Sequence, residues 1–402
     1  MIELAAIEAA RDRIESSVRE TPMKYSDSFS TRTGASVYLK LESFQRTGAF
    51  KLRGATNRIH TLTDDEREVG VVTASAGNHA QGVALAATQA GVDATIVMPE
   101  HAPISKVNAT REYGGEVVLY GIDYDEAAER AHDIERSEGR TYLHAFDDPA
   151  VIAGQGTIGL EIVDQCPDVD TVVVPIGGGG LISGIATAIK ALTDARVIGV
   201  QAEGASSVVD SIDAGRIVER DAVDTIADGI ATRRVGDIPF EIIQSRVDEL
   251  VTVTDAEIAN ALTSVLEREK TLIEGAGAVP MAALLGGHFE YEPDENVVLT
   301  LSGGNIDLNI LTTVISRGLV ERGRFLRIRT VLKDRPGALG ELTDLLVAHR
   351  TNIHAIEHDR TSKDIAMNAA EVELDLETRG NEHVEELLSA LEADGYEVDV
   401  LV

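Results

Sequence analysis

The stretch Thr171–Leu192, TVVVPIGGGGLISGIATAIKAL, decides the fold. A β-branched apolar run, four consecutive glycines and a helix-periodic segment follow one another without a break. That is the sequence of a strand, a tight turn and a helix. The same alternation recurs over residues 37–320. VYLKLESF, VGVVTASA, DATIVMP, EVVLYG and TYLHAF come before it, and RVIGVQAE and NVVLTLSGG come after. Helical periodicity follows most of these runs, as in HAQGVALAATQAG. The pattern predicts α/β architecture with largely parallel sheets. One sheet would not hold so many strands, so two lobes are expected within residues 1–320, the smaller spanning about 37–146. The N-terminal MIELAAIEAARDRIESSV reads as an acidic amphipathic helix.

After Arg324 the pattern changes. FLRIRTVLK, DRPGALGELTDLLVAHR, NIHAIEHDR, AMNAAEVELDLE, GNEHVEELLSALEADG and YEVDVLV read as strand, helix, strand, strand, helix, strand. This βαββαβ order predicts a ferredoxin-like module over residues 325–402. The junction, around Ser316 to Gly323, carries no low-complexity linker.

Asp and Glu number 68 against 36 basic residues, and the net charge of −32 argues against nucleic acid or an anionic membrane as partner. The acidic residues are spread along the whole chain, and a carboxylate-rich, lysine-poor surface is the kind expected of a high-salt cytoplasm. Cys166 is the only cysteine, so no intrachain disulfide is expected. No apolar run is long enough to span a bilayer, and the N-terminus lacks the pattern of a signal peptide. A cytoplasmic protein is expected.

Four motifs carry chemistry. Four glycines in Gly177–Gly180 are costly in backbone entropy, and they let N–H groups converge on phosphate oxygens at a helix N-terminus. A dinucleotide site fits less well, since the third glycine of G-x-G-x-x-G would fall on Ile182 or Ser183, although Glu203 lies about twenty residues onward. SFQRTGAFKLRGA places Lys51 among Gly48, Ala49, Phe50 and Gly54. Small neighbours admit a flat ligand, and an apolar wall desolvates an amine toward Schiff-base chemistry. SAGNHAQG, from Ser75 to Gly82, offers an anion site at a strand-to-helix turn, or an ordinary helix cap. LSGGN places Ser302 after a strand, as a crevice hydroxyl or again as a cap. Ends of parallel strands face one crevice. An amine, a phosphate cradle, an anion turn and a hydroxyl there point to pyridoxal 5'-phosphate held as an imine.

In this order the four motifs resemble the threonine dehydratases (threonine ammonia-lyases), pyridoxal-phosphate enzymes of fold type II, the tryptophan-synthase-β-like fold. The likeness covers roughly residues 5–320 and makes residues 1–320 the expected catalytic region. It implies that Lys51 carries the cofactor and serves as catalytic base, with Phe50 beside it. It further implies that Asn78 contacts the ring's 3-oxygen, that Gly177, Gly178, Gly179 and Gly180 hold the phosphate, and that Ser302 meets the ring nitrogen. Asp228, Gly229 and Glu274 would wall the ring. The substrate carboxylate would rest on the turn Ser75, Ala76, Gly77, Asn78 and His79. The implied reaction is β-elimination of L-threonine to 2-oxobutanoate and ammonia, serving isoleucine biosynthesis or threonine catabolism. The alternatives are an L-serine or other hydroxyamino-acid ammonia-lyase, and a non-catalytic amino-acid-binding regulator on the same scaffold.

Two further likenesses narrow the chemistry. The similar serine racemases carry a serine acid where this chain has Ala76, so racemisation is expected to be slow. Their divalent-metal site would match Glu203, but its second ligand falls on Val209, with Asp210 one residue out of register, so no metal is expected. His354 and His358 share a strand face and have no ligand spacing. DRPGAL, Asp334 to Leu339, resembles the first turn of an ACT domain, which implies an amino-acid effector, allosteric regulation and a homo-oligomer, dimer or tetramer.

Overall fold

The computed structural model describes residues 2–360, 366 and 368–402. The chain forms two compact units, dividing between Leu308 and Asn309.

Among the described residues the first unit holds ten strands: β1 Met23–Tyr25, β2 Ser36–Leu41, β3 Val71–Ala74, β4 Ala94–Met98, β5 Glu116–Leu119, β6 Thr141–Tyr142, β7 Thr171–Pro175, β8 Arg196–Ala202, β9 Glu249–Val253 and β10 Asn296–Leu301. They make a six-stranded sheet in the order β1-β2-β10-β7-β8-β9 and a four-stranded sheet in the order β5-β4-β3-β6. Every neighbour pair is parallel except β1 with β2. All residues of β3, β4 and β7 are buried, which is why these strands read as continuous apolar runs and not as alternating ones. Helix Gly180–Leu192 packs Ile182, Ile185 and Ile189 against Val172, Val174 and Val197 of the larger sheet. Helix Asn78–Ala90 seats Ala80, Val83 and Ala87 against Val71, Ile96 and Met98 of the smaller.

The smaller lobe departs from expectation at its start. β2 pairs with β10 from Ser36↔Asn296 to Leu41↔Leu301, so the strand at 36–41 belongs to the six-stranded sheet. The smaller sheet begins only at Val71. β1 and β9 had no clear signal, and TYLHAF forms only the two-residue β6 before turning away.

In the second unit, β11 Phe325–Lys333, β12 Asn352–Asp359, β13 Ala369–Glu377 and β14 Val398–Val400 form an antiparallel sheet in the order β12-β13-β11-β14. Helices Ala338–Ala348 and Asn381–Ala393 complete the βαββαβ order. Strict alternation along β11 and β13 sends Leu326, Ile328, Val372 and Leu374 to one face, where Leu342, Leu346, Leu387 and Leu391 cover them. On the other face Arg327 and Asp375 stand opposite one another and bond at 2.7 Å, a cross-strand ion pair. The strand expected from Ala366 begins at Ala369, and Met1, residues 361–365 and Met367 lie outside the described residues. Residues 308–321 are helical, so helix runs through most of the junction read at Ser316–Gly323.

Candidate active site

β2, β10 and β7 are neighbours in one sheet, and three of the four motifs follow their C-terminal ends. The fourth follows β3 of the other sheet. Lys51 opens helix Lys51–His60. Its Nζ donates to Ala145 O at 2.9 Å and lies 5.2 Å from the centroid of the Phe50 ring. Lys51 keeps some open surface, but packing around the amine strips water from it and lowers its pKa to about 8, partly offset by the Glu274 carboxylate.

Backbone contacts draw the motifs together. Phe50 N donates to Ser302 O at 3.1 Å, and Ala49 bridges Gly303. Gly82 brings the two helices close: a Cβ there would lie 3.1 Å from Lys51 C and Leu52 N, tight against that backbone. Ser302 itself is buried.

The turn after β3 leaves donors unspent. Ser75 Oγ accepts from Gly77 N at 3.2 Å, but the N–H groups of Ala76, Asn78, His79 and Ala80 have no acceptor among the described residues. These groups form the open end of a 13-residue helix. Asn78 Nδ2 donates to Glu274 Oε1 at 2.8 Å, and its Oδ1 accepts from Asn305 Nδ2 at 2.8 Å. Burial pushes the Glu274 carboxyl up to about 7, with Asp228 adding to it, while the Asn78 bond and the Lys106 and Lys51 charges pull the other way. Gly229 lies in the turn Asp228–Ile230 beside this carboxyl: a Cβ on it would sit 3.2 Å from Glu274 Oε1. His79 donates through Nε2 to Leu143 O at 3.1 Å, which leaves its buried Nδ1 without a partner. Burial, and then the Lys51 charge, lowers its pKa to about 3, so the ring is neutral.

The glycine run presents a second set of free donors. The N–H groups of Gly177, Gly178, Gly179, Gly180, Leu181 and Ile182 find no acceptor among the described residues, and all but Gly177 belong to buried residues. Buried N–H groups left unpaired are costly, so this cluster is built for an acceptor from outside the chain. Gly179 has φ +91°, which favours glycine. The others are required by close packing. A Cβ on Gly178 would strike the Phe146 ring, and one on Gly177 would sit 2.9 Å from Ile230 Cα.

Nothing in the sequence had marked Ala145 and Phe146. Both lie in the loop after β6, where His144 Nδ1 accepts from Phe146 N at 3.3 Å and Asp147 N at 2.8 Å and shapes the turn. Asp148 then caps helix Pro149–Gln165, accepting from Ala150 N at 2.7 Å. One short loop thus supplies the acceptor for Lys51 and the wall of the glycine run. Asn305, which orients Asn78, was also missed.

Glu203 is bonded to none of these residues, its carbonyl accepting from Arg220 Nη1 at 3.1 Å. It is exposed, and nearby Asp210 is paired with Arg220 at 2.8 Å. Among the described residues no group of three His, Cys, Asp or Glu is arranged to hold a metal ion. No helix is long and apolar enough to cross a membrane among the described residues.

Two spatially joined sets of free N–H donors, with a desolvated amine and a buried serine between strand ends, can hold a doubly anionic ligand and react with its carbonyl. Residues 14–303 match the family described as pyridoxal-phosphate dependent enzyme. Over all 402 residues the chain is 47% identical to L-threonine ammonia-lyase of Thermotoga maritima and 48% identical to L-threonine ammonia-lyase of Geobacter sulfurreducens, with both chains covered in full in each case. The solved structure of the processed form of threonine deaminase isoform 2 from Solanum lycopersicum superposes with a TM-score of 0.75 at 40% identity, covering 78% of this chain and 86% of that one.

Proposed function

The chain belongs to the pyridoxal-phosphate dependent enzymes, and on that premise we propose that it is an L-threonine ammonia-lyase, converting L-threonine to 2-oxobutanoate and ammonia by β-elimination. Full-length relatives of that name support the reading. The observation that carries it is the Lys51 amine, lowered to about pKa 8 and held by one carbonyl between two sets of unspent N–H donors.

The residues present fit pyridoxal phosphate. The donors of Gly177–Ile182 suit a phosphate dianion at the head of a helix, and the Lys51 amine suits its aldehyde. When bound, this cofactor supplies an electron sink conjugated to the substrate Cα. The remaining work falls to the chain. Free N–H groups of Ala76, Asn78 and His79 bind the substrate carboxylate and fix the amino acid relative to Lys51. Lys51 Nζ, whose neutral fraction burial raises well above that of an ordinary lysine, would take the proton from Cα. Asn78 and Glu274, a hydrogen-bonded pair, would hold the edge of the ring, and Gly229, with no side chain beside Glu274, would leave it room. Ser302 would offer the ring nitrogen a hydroxyl and not a carboxylate, a partner that suits elimination of the β-hydroxyl over transamination. Ala76 offers a methyl group where a racemase needs an acid, so inversion at Cα is slow.

The second unit is read as an ACT module that binds an amino-acid effector. Its βαββαβ order supports this, as does Gly337 at φ +93° heading helix Ala338–Ala348 within DRPGAL. A cytoplasmic homo-oligomer working in high salt completes the reading.

The test is product analysis with purified protein in high salt. L-threonine should yield 2-oxobutanoate, with kcat/KM above that for L-serine by on the order of ten-fold, the discrimination one methyl group can supply. Pyruvate from L-serine at equal or higher kcat/KM would overturn the threonine assignment.

A further inference from the structure

Below the site lies a cluster of charges with no part in the reaction just described. Lys40, Glu42 and Arg53 are 0% exposed and Glu161 is 7% exposed. Arg53 forks onto Glu42 through Nε–Oε2 and Nη2–Oε1, both at 2.9 Å. It also donates to Glu161 Oε2 at 2.9 Å and Thr157 Oγ1 at 3.1 Å. Lys40 Nζ reaches Glu161 Oε2 at 2.5 Å, Thr21 O at 2.6 Å and Gln165 Oε1 at 3.1 Å. Two cations thus meet two carboxylates with their hydrogen bonds filled. Burial works against the charge on Glu161, yet Arg53 and Lys40 hold its carboxyl below the usual range.

Buried ion pairs are a poor source of stability, because desolvation consumes most of the Coulombic gain and apolar side chains would serve as well. What a forked arginine adds is geometry. Here the geometry falls at one place. Glu42 ends the run from β2, Arg53 lies two residues past Lys51, and the chain between them is mostly irregular. Glu161 belongs to helix Pro149–Gln165, whose N-terminal end follows directly on the loop of Ala145 and Phe146.

We propose that Lys40, Glu42, Arg53 and Glu161 form a buried ionic clamp that positions Lys51, closing the base of its loop and tying its helix to the segment that supplies Ala145 O. The proposal rests on Lys51 as the cofactor-bearing amine. The four are positioning residues, acting through the loop and not on the substrate.

The test compares the holoenzyme with Glu42→Gln and with Arg53→Lys, which keeps the charge and loses the fork. Glu269→Gln serves as control, because Glu269 is 7% exposed and pairs with Lys24 at 2.7 Å, and its other bonds, to Ser26 and Thr271, involve none of the four clamp residues. Three quantities are read: thermal midpoint, kcat against KM for L-threonine, and the pH midpoint of Lys51 acylation in cofactor-free protein by peptide mass spectrometry. Glu42→Gln and Arg53→Lys should lower kcat on the order of 10- to 100-fold with little change in KM. They should also move the acylation midpoint from near 8 toward that of an ordinary lysine. Glu269→Gln should lower the thermal midpoint and leave the other two unchanged. If Glu42→Gln does not fold, Arg53→Lys and the milder Thr157→Val decide in its place. Clamp variants that lose only thermal stability, with kcat and the acylation midpoint of the parent, would overturn the proposal. Failure of the functional reading shows separately, as a parent protein with no cofactor on Lys51, and the acylation comparison still reads the clamp.

Discussion

At Lys51 the quantity that matters is the fraction of amine without its proton. Burial lowers the pKa to about 8, and the Glu274 carboxylate holds it from falling further. The neutral amine is the nucleophile. Attachment of pyridoxal phosphate to cofactor-free protein, followed by stopped-flow absorbance, should therefore accelerate with rising pH through a midpoint near 8. Removing an anion makes a cation harder to keep, so Glu274→Gln should shift that midpoint to lower pH. A midpoint that stays or rises would show that the carboxylate does not act on the amine. Lys51 was legible in the sequence because small residues crowd it on both sides, a pattern a surface lysine does not need. Ala145 was not legible, since it acts through a carbonyl oxygen that any residue possesses. Phe146 was hidden because TYLHAF reads as unbroken strand, and the turn away depends on His144 accepting two backbone N–H groups.

Among elements, the helix pair Lys51–His60 and Pro149–Gln165 shows what glycine does in this chain. A Cβ on Gly154 would lie 2.7 Å from Arg53 O, backbone that cannot give way. Gly154→Ala should cost about 1–3 kcal/mol by denaturant titration, through overpacking between the two helices. Gly340 is also helical, but a Cβ there meets nothing within 4 Å. Gly340→Ala should instead stabilise by about 0.5–1 kcal/mol, the helix-propensity gain alone. Equal effects at the two sites would refute this packing account. The buried strands β7 and β10 were legible as apolar runs, because both their faces are covered. β9 was not, since most of its residues are only half-buried and Glu249 and Thr252 cut its apolar run down to Leu250–Val251. β2 was legible as a strand but not as a member of the larger sheet, because pairing with β10 joins residues some 260 positions apart and leaves no local trace.

At the scale of the whole molecule, charge is what sets this chain apart. With 68 acidic and 36 basic residues, self-repulsion opposes the compact state at low ionic strength. The Debye length falls from about 10 Å at 0.1 M salt to about 3 Å at 1 M, so added salt screens this repulsion, while the buried clamp around Arg53 is shielded from it. Calorimetry across that range should show the thermal midpoint rising by several degrees. A flat or falling midpoint would contradict a surface adapted to high salt.

The central claim concerns one covalent link. Borohydride reduction of the holoenzyme followed by peptide mass spectrometry tests it most directly. A reduced pyridoxyl-phosphate adduct on Lys51 is the predicted result. An adduct on any other lysine, or none, would contradict the account.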